Sequence, residues 1–85
     1  MKPALSPMYR LQFEPAQDAW VLLYPEGMVK LNMPAAEILK RCDGARSVEE
    51  IVGELESAFA RTGLQGDVEA FLAQAREHGW VAQEA

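Results

Sequence analysis

Few side chains in this 85-residue chain are equipped for chemistry, and they are scattered. There is one histidine, His78, and one cysteine, Cys42. His78 falls near the end of a predicted helix, where an imidazolium complements the negative helix end. Without His78 no Ser-His-Asp set can be assembled. Cys42 falls on the apolar face of another predicted helix, the position of a structural thiol rather than a nucleophile. One Cys and one His cannot make a structural zinc site. The carboxylate pairs Glu49-Glu50 and Glu54/Glu56 lie on a capping turn and an exposed helix surface, with nothing to desolvate and tune them. The glycines are isolated and form no phosphate-cradling loop. The sequence therefore offers no catalytic residue, no metal set and no cofactor motif. The expectation is a binding protein, not an enzyme.

The elements that would carry a binding surface are legible from periodicity. Eighty-five residues with 49% hydrophobic content make one domain with a modest core. Met1 to Met8, with Pro3 and Pro7, reads as an extended, loosely held arm. Tyr9 to Phe13 alternates as a strand, with Tyr9, Leu11 and Phe13 on one face. A loop over Glu14–Asp18 leads to a second strand, Trp20 to Tyr24. Pro25-Glu26-Gly27 is turn chemistry, with Gly27 able to take positive φ. A third strand, Met28 to Asn32, sets Val29 and Leu31 on one face and Met28, Lys30 and Asn32 on the other.

Three helices follow. The first spans Pro34–Cys42, with Asp43-Gly44 as its stop and Gly44 as a left-handed cap. Ser47-Val48-Glu49-Glu50 is a capping box that starts a second helix, reaching about Arg61 with Val48, Ile51, Val52, Leu55 and Phe59 inward. Gly53 within it suggests close backbone packing. After a Thr62–Gly66 loop, Asp67 caps a third helix with Val68, Phe71, Leu72 and Ala75 inward. Gly79 ends it, Trp80-Val81 folds back as an apolar latch, and residues 82–85 read as flexible, like residues 1–8. The fold class is α+β: a three-stranded antiparallel meander followed by three helices, winged-helix-like.

Charge and hydropathy exclude several functions. Residues 1–44 carry five basic and five acidic side chains, so the net charge of −5 lies in residues 45–85. The third helix has Asp67, Glu69 and Glu77 against Arg76, a poor surface for reading DNA. The basic group Lys40, Arg41, Arg46 complements the negative end of the first helix. No apolar run approaches the roughly 20 residues of a membrane span. No signal core opens the chain, and one cysteine suits a reducing cytoplasm. Peptide binding fits better, because the third strand is a sheet edge with free amides and carbonyls. A five-residue pairing forms about five hydrogen bonds at ~1 kcal/mol each. Ordering the peptide costs ~1–2 kcal/mol per residue. Affinity then comes from two or three apolar side chains, at roughly 1.5–3 kcal/mol each, buried against the third helix.

These residues carry a family resemblance. Tyr9-Arg10-Leu11-Gln12, Leu22-Leu23-Tyr24-Pro25-Glu26-Gly27, Leu31-Asn32, Glu37-Ile38-Leu39, Cys42-Asp43-Gly44, Val48-Glu49-Glu50-Ile51, Asp67-Val68, Phe71-Leu72 and Gly79-Trp80 follow one another as in the PqqD family. That is a family of pyrroloquinoline quinone (PQQ) biosynthesis, and it resembles the peptide-recognition modules of ribosomal peptide pathways. The similarity spans about residues 5–82. Pro34 departs from it, standing where the family has a Ser or Thr cap, so Asn32 or Met33 must cap the first helix. The resemblance implies a peptide chaperone that binds the precursor PqqA and presents it to PqqE, a radical S-adenosylmethionine enzyme. It implies that the peptide adds along Met28, Val29, Lys30, Leu31 and Asn32, and rests against Asp67, Val68, Phe71, Leu72 and Ala75. Which of these helix positions touch peptide and which form core stays open. No cofactor is expected. The open edge also allows a weak homodimer. The alternatives are a winged-helix nucleic-acid-binding domain, or direct binding of a quinone intermediate or product by stacking on Trp20, Tyr24 and Trp80.

Overall fold

A computed structural model describes residues 2–84, with the backbone alone for 83 and 84. Its strands are β1 (Lys2–Leu5), β2 (Arg10–Glu14), β3 (Ala19–Tyr24), β4 (Gly27–Lys30) and β5 (Val81–Glu84). Its helices are α1 (Met33–Lys40), α2 (Val48–Phe59) and α3 (Gln65–Glu77), lying between β4 and β5. β2, β3 and β4 form the antiparallel meander expected from the alternation, in the order β2-β3-β4. Leu11 faces Leu22, which faces Val29 in turn. Tyr9, Leu11, Trp20, Leu22, Val29 and Leu31 thus share the side that meets the helices. Leu22, Ile51 and Leu72 are the largest side chains fully buried at the centre of the core.

The two hairpin turns differ in detail from expectation. β2 and β3 are joined by Pro15–Asp18, four residues, with Asp18 left-handed at φ 49°. The turn between β3 and β4 is Pro25-Glu26, and Gly27 pairs with Tyr24 as the first residue of β4. Gly27 does not use positive φ. A Cβ there would make only ordinary contact with the Tyr24 hydroxyl, at 3.6 Å.

The helices keep their predicted order, and several of their ends move. Asn32 caps α1: its Oδ1 accepts from the Ala35 amide at 2.9 Å. α1 stops at Lys40, two residues before Cys42, because Arg41 turns back and donates to the Glu37 carbonyl and carboxylate. Gly44 is left-handed, but it belongs to the loop beyond the helix end. Its amide donates to the Pro3 carbonyl, and a Cβ there would press on Ala4 at 3.4 Å. The capping box at Ser47 and Glu50 forms in both directions. α2 ends at Phe59 on a left-handed Ala60. Two expectations for this helix fail. Gly53 is exposed with nothing near it, and Phe59 lies 44% exposed because the core ends one turn earlier at Leu55.

Asp67 does not cap α3. The helix begins at Gln65, with Leu64 at the cap position and no side-chain cap. The Leu64 amide is instead satisfied by Glu56 Oε2, reaching from α2 at 3.0 Å. Asp67 sits in the first turn, where its charge suits the positive helix end. Gly79 ends α3 at φ 78°, with Trp80 N–H donating to the Ala75 carbonyl and Gly79 N–H to that of Arg76. That is the paired 6→1 and 5→2 closure of a Schellman motif.

The N-terminal arm is extended, as its prolines suggest, and it is paired. β1 and β5 form a second, two-stranded sheet in which Leu5 faces Val81 and Pro3 faces Gln83. Pro3 is fully buried. The Leu5 amide reaches the Cys42 carbonyl, and the Ser6 amide reaches that of Trp80. Trp80-Val81 folds back onto the core as an apolar pair, and Val81 is also the first residue of β5. Met1 and Ala85, within the segments read as flexible, lie outside the described residues.

Candidate functional site

The open side of β4 is the starting point. Among the described residues β4 pairs with β3 alone. In an antiparallel ladder, alternate residues turn their backbone groups toward the partner. The Leu31 amide donates to the Trp20 carbonyl at 2.9 Å, which fixes the parity. With the register Leu22–Val29 and Tyr24–Gly27, residues Gly27, Val29 and Leu31 face β3. Met28 and Lys30 then present their amides and carbonyls outward. Asn32 is committed to α1, since its carbonyl accepts from Ala36 and its side chain caps the helix. The edge is thus shorter than Met28–Asn32. It offers about four backbone hydrogen bonds from two residues.

Beside this edge runs a groove of about 340 Å³. One wall is β4 and the chain after it, with Val29, Lys30, Leu31 and Asn32. The facing wall is α3, with Asp67, Phe71, Gln74 and His78. Those four are spaced by four, three and four residues, one stripe of a helix. Pro34, Ala35 and Ile38 of α1 close the groove below, and Trp80 stands at one end. Trp80 is held by His78, stacked at 4.8 Å between ring centroids and 19° between planes, and by Phe71 at 6.5 Å.

Of the ten residues expected to bind, Val29, Lys30, Leu31, Asn32, Asp67 and Phe71 line this groove. Met28 supplies edge backbone, while its side chain lies on the opposite sheet face, 44% exposed. Val68, Leu72 and Ala75 are buried at 2%, 1% and 0% exposure and belong to the core. The apolar stripe of α3 turns inward and a mixed stripe lines the groove. Gln74, His78, Trp80, Pro34, Ala35 and Ile38 went unnoticed as lining residues. The four-three-four spacing from Asp67 to His78 was the signal available for the helix wall.

The remaining candidates for chemistry have structural partners. Cys42 is buried, and its thiol donates to the Ile38 carbonyl at 3.3 Å. Burial, with the neighbouring Asp43 charge adding to it, pushes its pKa up to about 12. Lys40 and Arg41 both bind Glu37, whose carboxyl they hold below its ordinary value, the Lys40 hydrogen bond first. Arg41 and Arg46 share Glu54, and Arg46 also binds Asp43. This basic group is spent tying α1 and its following loop to α2. Lys40 additionally lies over the Trp20 ring at 4.3 Å. Trp20, Tyr24 and Trp80 line three different depressions, so no common stacking site for a quinone is assembled. Among the described residues no group of three His, Cys, Asp or Glu side chains could hold a metal ion, and no helix is long and apolar enough to cross a membrane.

Comparison with known proteins bears on the same fold. The family model described as Coenzyme PQQ synthesis protein D (PqqD) matches residues 19–81. A relative from Pseudomonas aeruginosa, named PqqA binding protein, is 52% identical over 80 residues, covering 93% of this chain and 87% of its own. One from Methylococcus capsulatus with the same name is 44% identical over 79 residues, covering 93% and 85%. Among solved structures, the solution NMR structure of the PqqD truncation of Methylobacterium extorquens PqqCD superposes with a TM-score of 0.79. It is 26% identical, with 95% of this chain and 88% of that one covered, and is described as a functional, stand-alone RiPP recognition element. The crystal structure of PqqD from Xanthomonas campestris gives 0.62 at 31% identity, covering 93% and 90%.

Proposed function

The chain belongs to the PqqD family, and from that premise we propose that it takes up the precursor peptide PqqA as a fourth strand on β4 and presents it to PqqE. It is a non-catalytic recognition element that binds PqqA in PQQ biosynthesis. The observation that carries strand addition is the conjunction of an unpaired β4 edge with a groove directly beside it. The backbone of Met28 and Lys30 sets peptide register through about four hydrogen bonds. Alternate peptide side chains drop between Val29 and Leu31 on one side and Phe71 and Gln74 on the other. Burial of two such side chains supplies most of the affinity, at roughly 1.5–3 kcal/mol each. Presentation to PqqE follows from the one-sided grip: an added strand keeps its outer edge exposed to the enzyme. The same edge accepts a second copy of the chain at high concentration, in competition with peptide.

Backbone parity makes the test specific. Lys30→Pro removes an outward amide and leaves the ladder to β3 intact, which an edge strand tolerates. Titration of folded Lys30→Pro with PqqA should give binding weaker by about tenfold or more. Val29→Pro instead cuts the ladder to β3, so its chief effect is on stability. Unchanged PqqA affinity in Lys30→Pro would remove strand addition at β4.

A further inference from the structure

We propose that the peptide bound along β4 continues past Asn32 and anchors an apolar side chain in a second cavity, enclosed by α1, α2 and the start of α3. This rests on the strand-addition reading above. The cavity measures about 300 Å³ and is floored by Ile38, Leu55, Leu64 and Val68. Met33, 69% exposed, and Phe59, 44% exposed, both line it. Two of the five large hydrophobic side chains exposed among the described residues thus border one depression, outside the core cluster. α2 carries its buried stripe Ile51, Val52, Leu55 one turn beyond the core, and Phe59 is where it emerges.

The occupant follows from continuity. The β4 groove and the second cavity share Pro34, Ile38 and Asp67. The groove also has a defined direction. Tyr9 packs on Tyr24, the partner of Gly27, and its hydroxyl lies 3.5 Å from the His78 carbonyl. The start of β4 is therefore near the end of α3. Asn32 and Pro34, beyond the end of β4, line the groove together with Asp67 in the first turn of α3. A strand laid along β4 leaves the groove at Pro34 and Asp67, the residues at which the second cavity begins. The rim also carries Arg61, which forms no ion pair among the described residues, unlike Lys40, Arg41 and Arg46. Asp67 and Glu37 line the same cavity, so its apolar floor, not its charge, selects the occupant: an apolar peptide side chain.

The test uses synthetic PqqA, the full-length protein, and two substitutions at the mouth that suit their helices. Met33→Glu places an acid at the first position of α1, and Phe59→Lys a base at the last position of α2. Both should bind PqqA about tenfold more weakly than wild type, with unchanged thermal midpoints. PqqA shortened progressively from each end should include one truncation that lowers wild-type affinity by the same factor and abolishes sensitivity to Phe59→Lys. Wild-type affinity in both mouth variants, alongside weakened binding by Lys30→Pro, would overturn the extension and leave the groove reading standing. Loss at the mouth with none in Lys30→Pro would overturn the continuous path and the groove reading together. Loss that persists for every truncated peptide would also overturn the extension, since the substitutions would then be acting on the groove itself.

Discussion

Cys42 shows how far burial alone decides the role of a side chain. Its inward position was readable from helical spacing, although α1 ends two residues before it, and the residue is 4% exposed. With a pKa near 12, about one thiol in ten thousand is ionised at pH 8. Thiol-directed labelling of the native protein at pH 8 should therefore be slow, becoming fast only in denaturant. Rapid labelling under native conditions would contradict the burial. The α3 residues were harder to read. Val68, Leu72 and Ala75 were expected near the peptide because apolar residues mark both cores and grooves. Gln74 and His78 were missed because a groove wall with polar members carries no hydrophobic signal.

The elements were mostly legible where a local signal fixes them. Alternation in Tyr9–Phe13 and the Ser47–Glu50 box placed β2 and the start of α2. The start of α3 was not legible, because the acceptor for its Leu64 amide comes from Glu56 in another helix. Backbone direction in β4 was equally hidden. It depends on which pairs of the β3–β4 ladder exchange hydrogen bonds, and sequence alternation reports side chains only. The end of α2 offers a separate check on the geometry. Ala60 holds φ 52°, a conformation that costs an L-residue roughly 1–2 kcal/mol. Glycine relieves that strain and gives back part of it as unfolded-state entropy. Ala60→Gly should raise stability by about 0.5–1 kcal/mol in denaturant titration. A loss of stability would mean that Ala60 is not left-handed.

Across the molecule, the ends of the chain build the support for the groove. The sequence showed Pro3 and Pro7 and suggested an arm. It carried no sign of the pairing partner, since β1 and β5 stand some 75 residues apart and each is only four residues long. Such a ladder is specified by tertiary closure and not by local pattern. β1 bridges β5 on one side and the Cys42–Gly44 loop on the other, and Ser6 fixes the backbone at Trp80. Removing residues 1–5 should destabilise the protein by roughly 3 kcal/mol or more in denaturant titration, through lost hydrogen bonds and the exposure of Val81. It should also weaken PqqA binding, because β5, which follows Trp80 at the groove end, loses its partner strand. Full stability after that deletion would make the second sheet incidental.

The central claim concerns where the peptide lies, and amide NMR of the labelled protein titrated with unlabelled PqqA addresses it most directly. The expected result is that Met28 and Lys30 amides become protected from exchange and move furthest. Phe71, Gln74, His78 and the Trp80 indole should shift with them, while the outer face of β2 stays still. Protection confined to β1 and β5, or shifts on the face of α2 away from α3 with β4 unchanged, would contradict strand addition at β4.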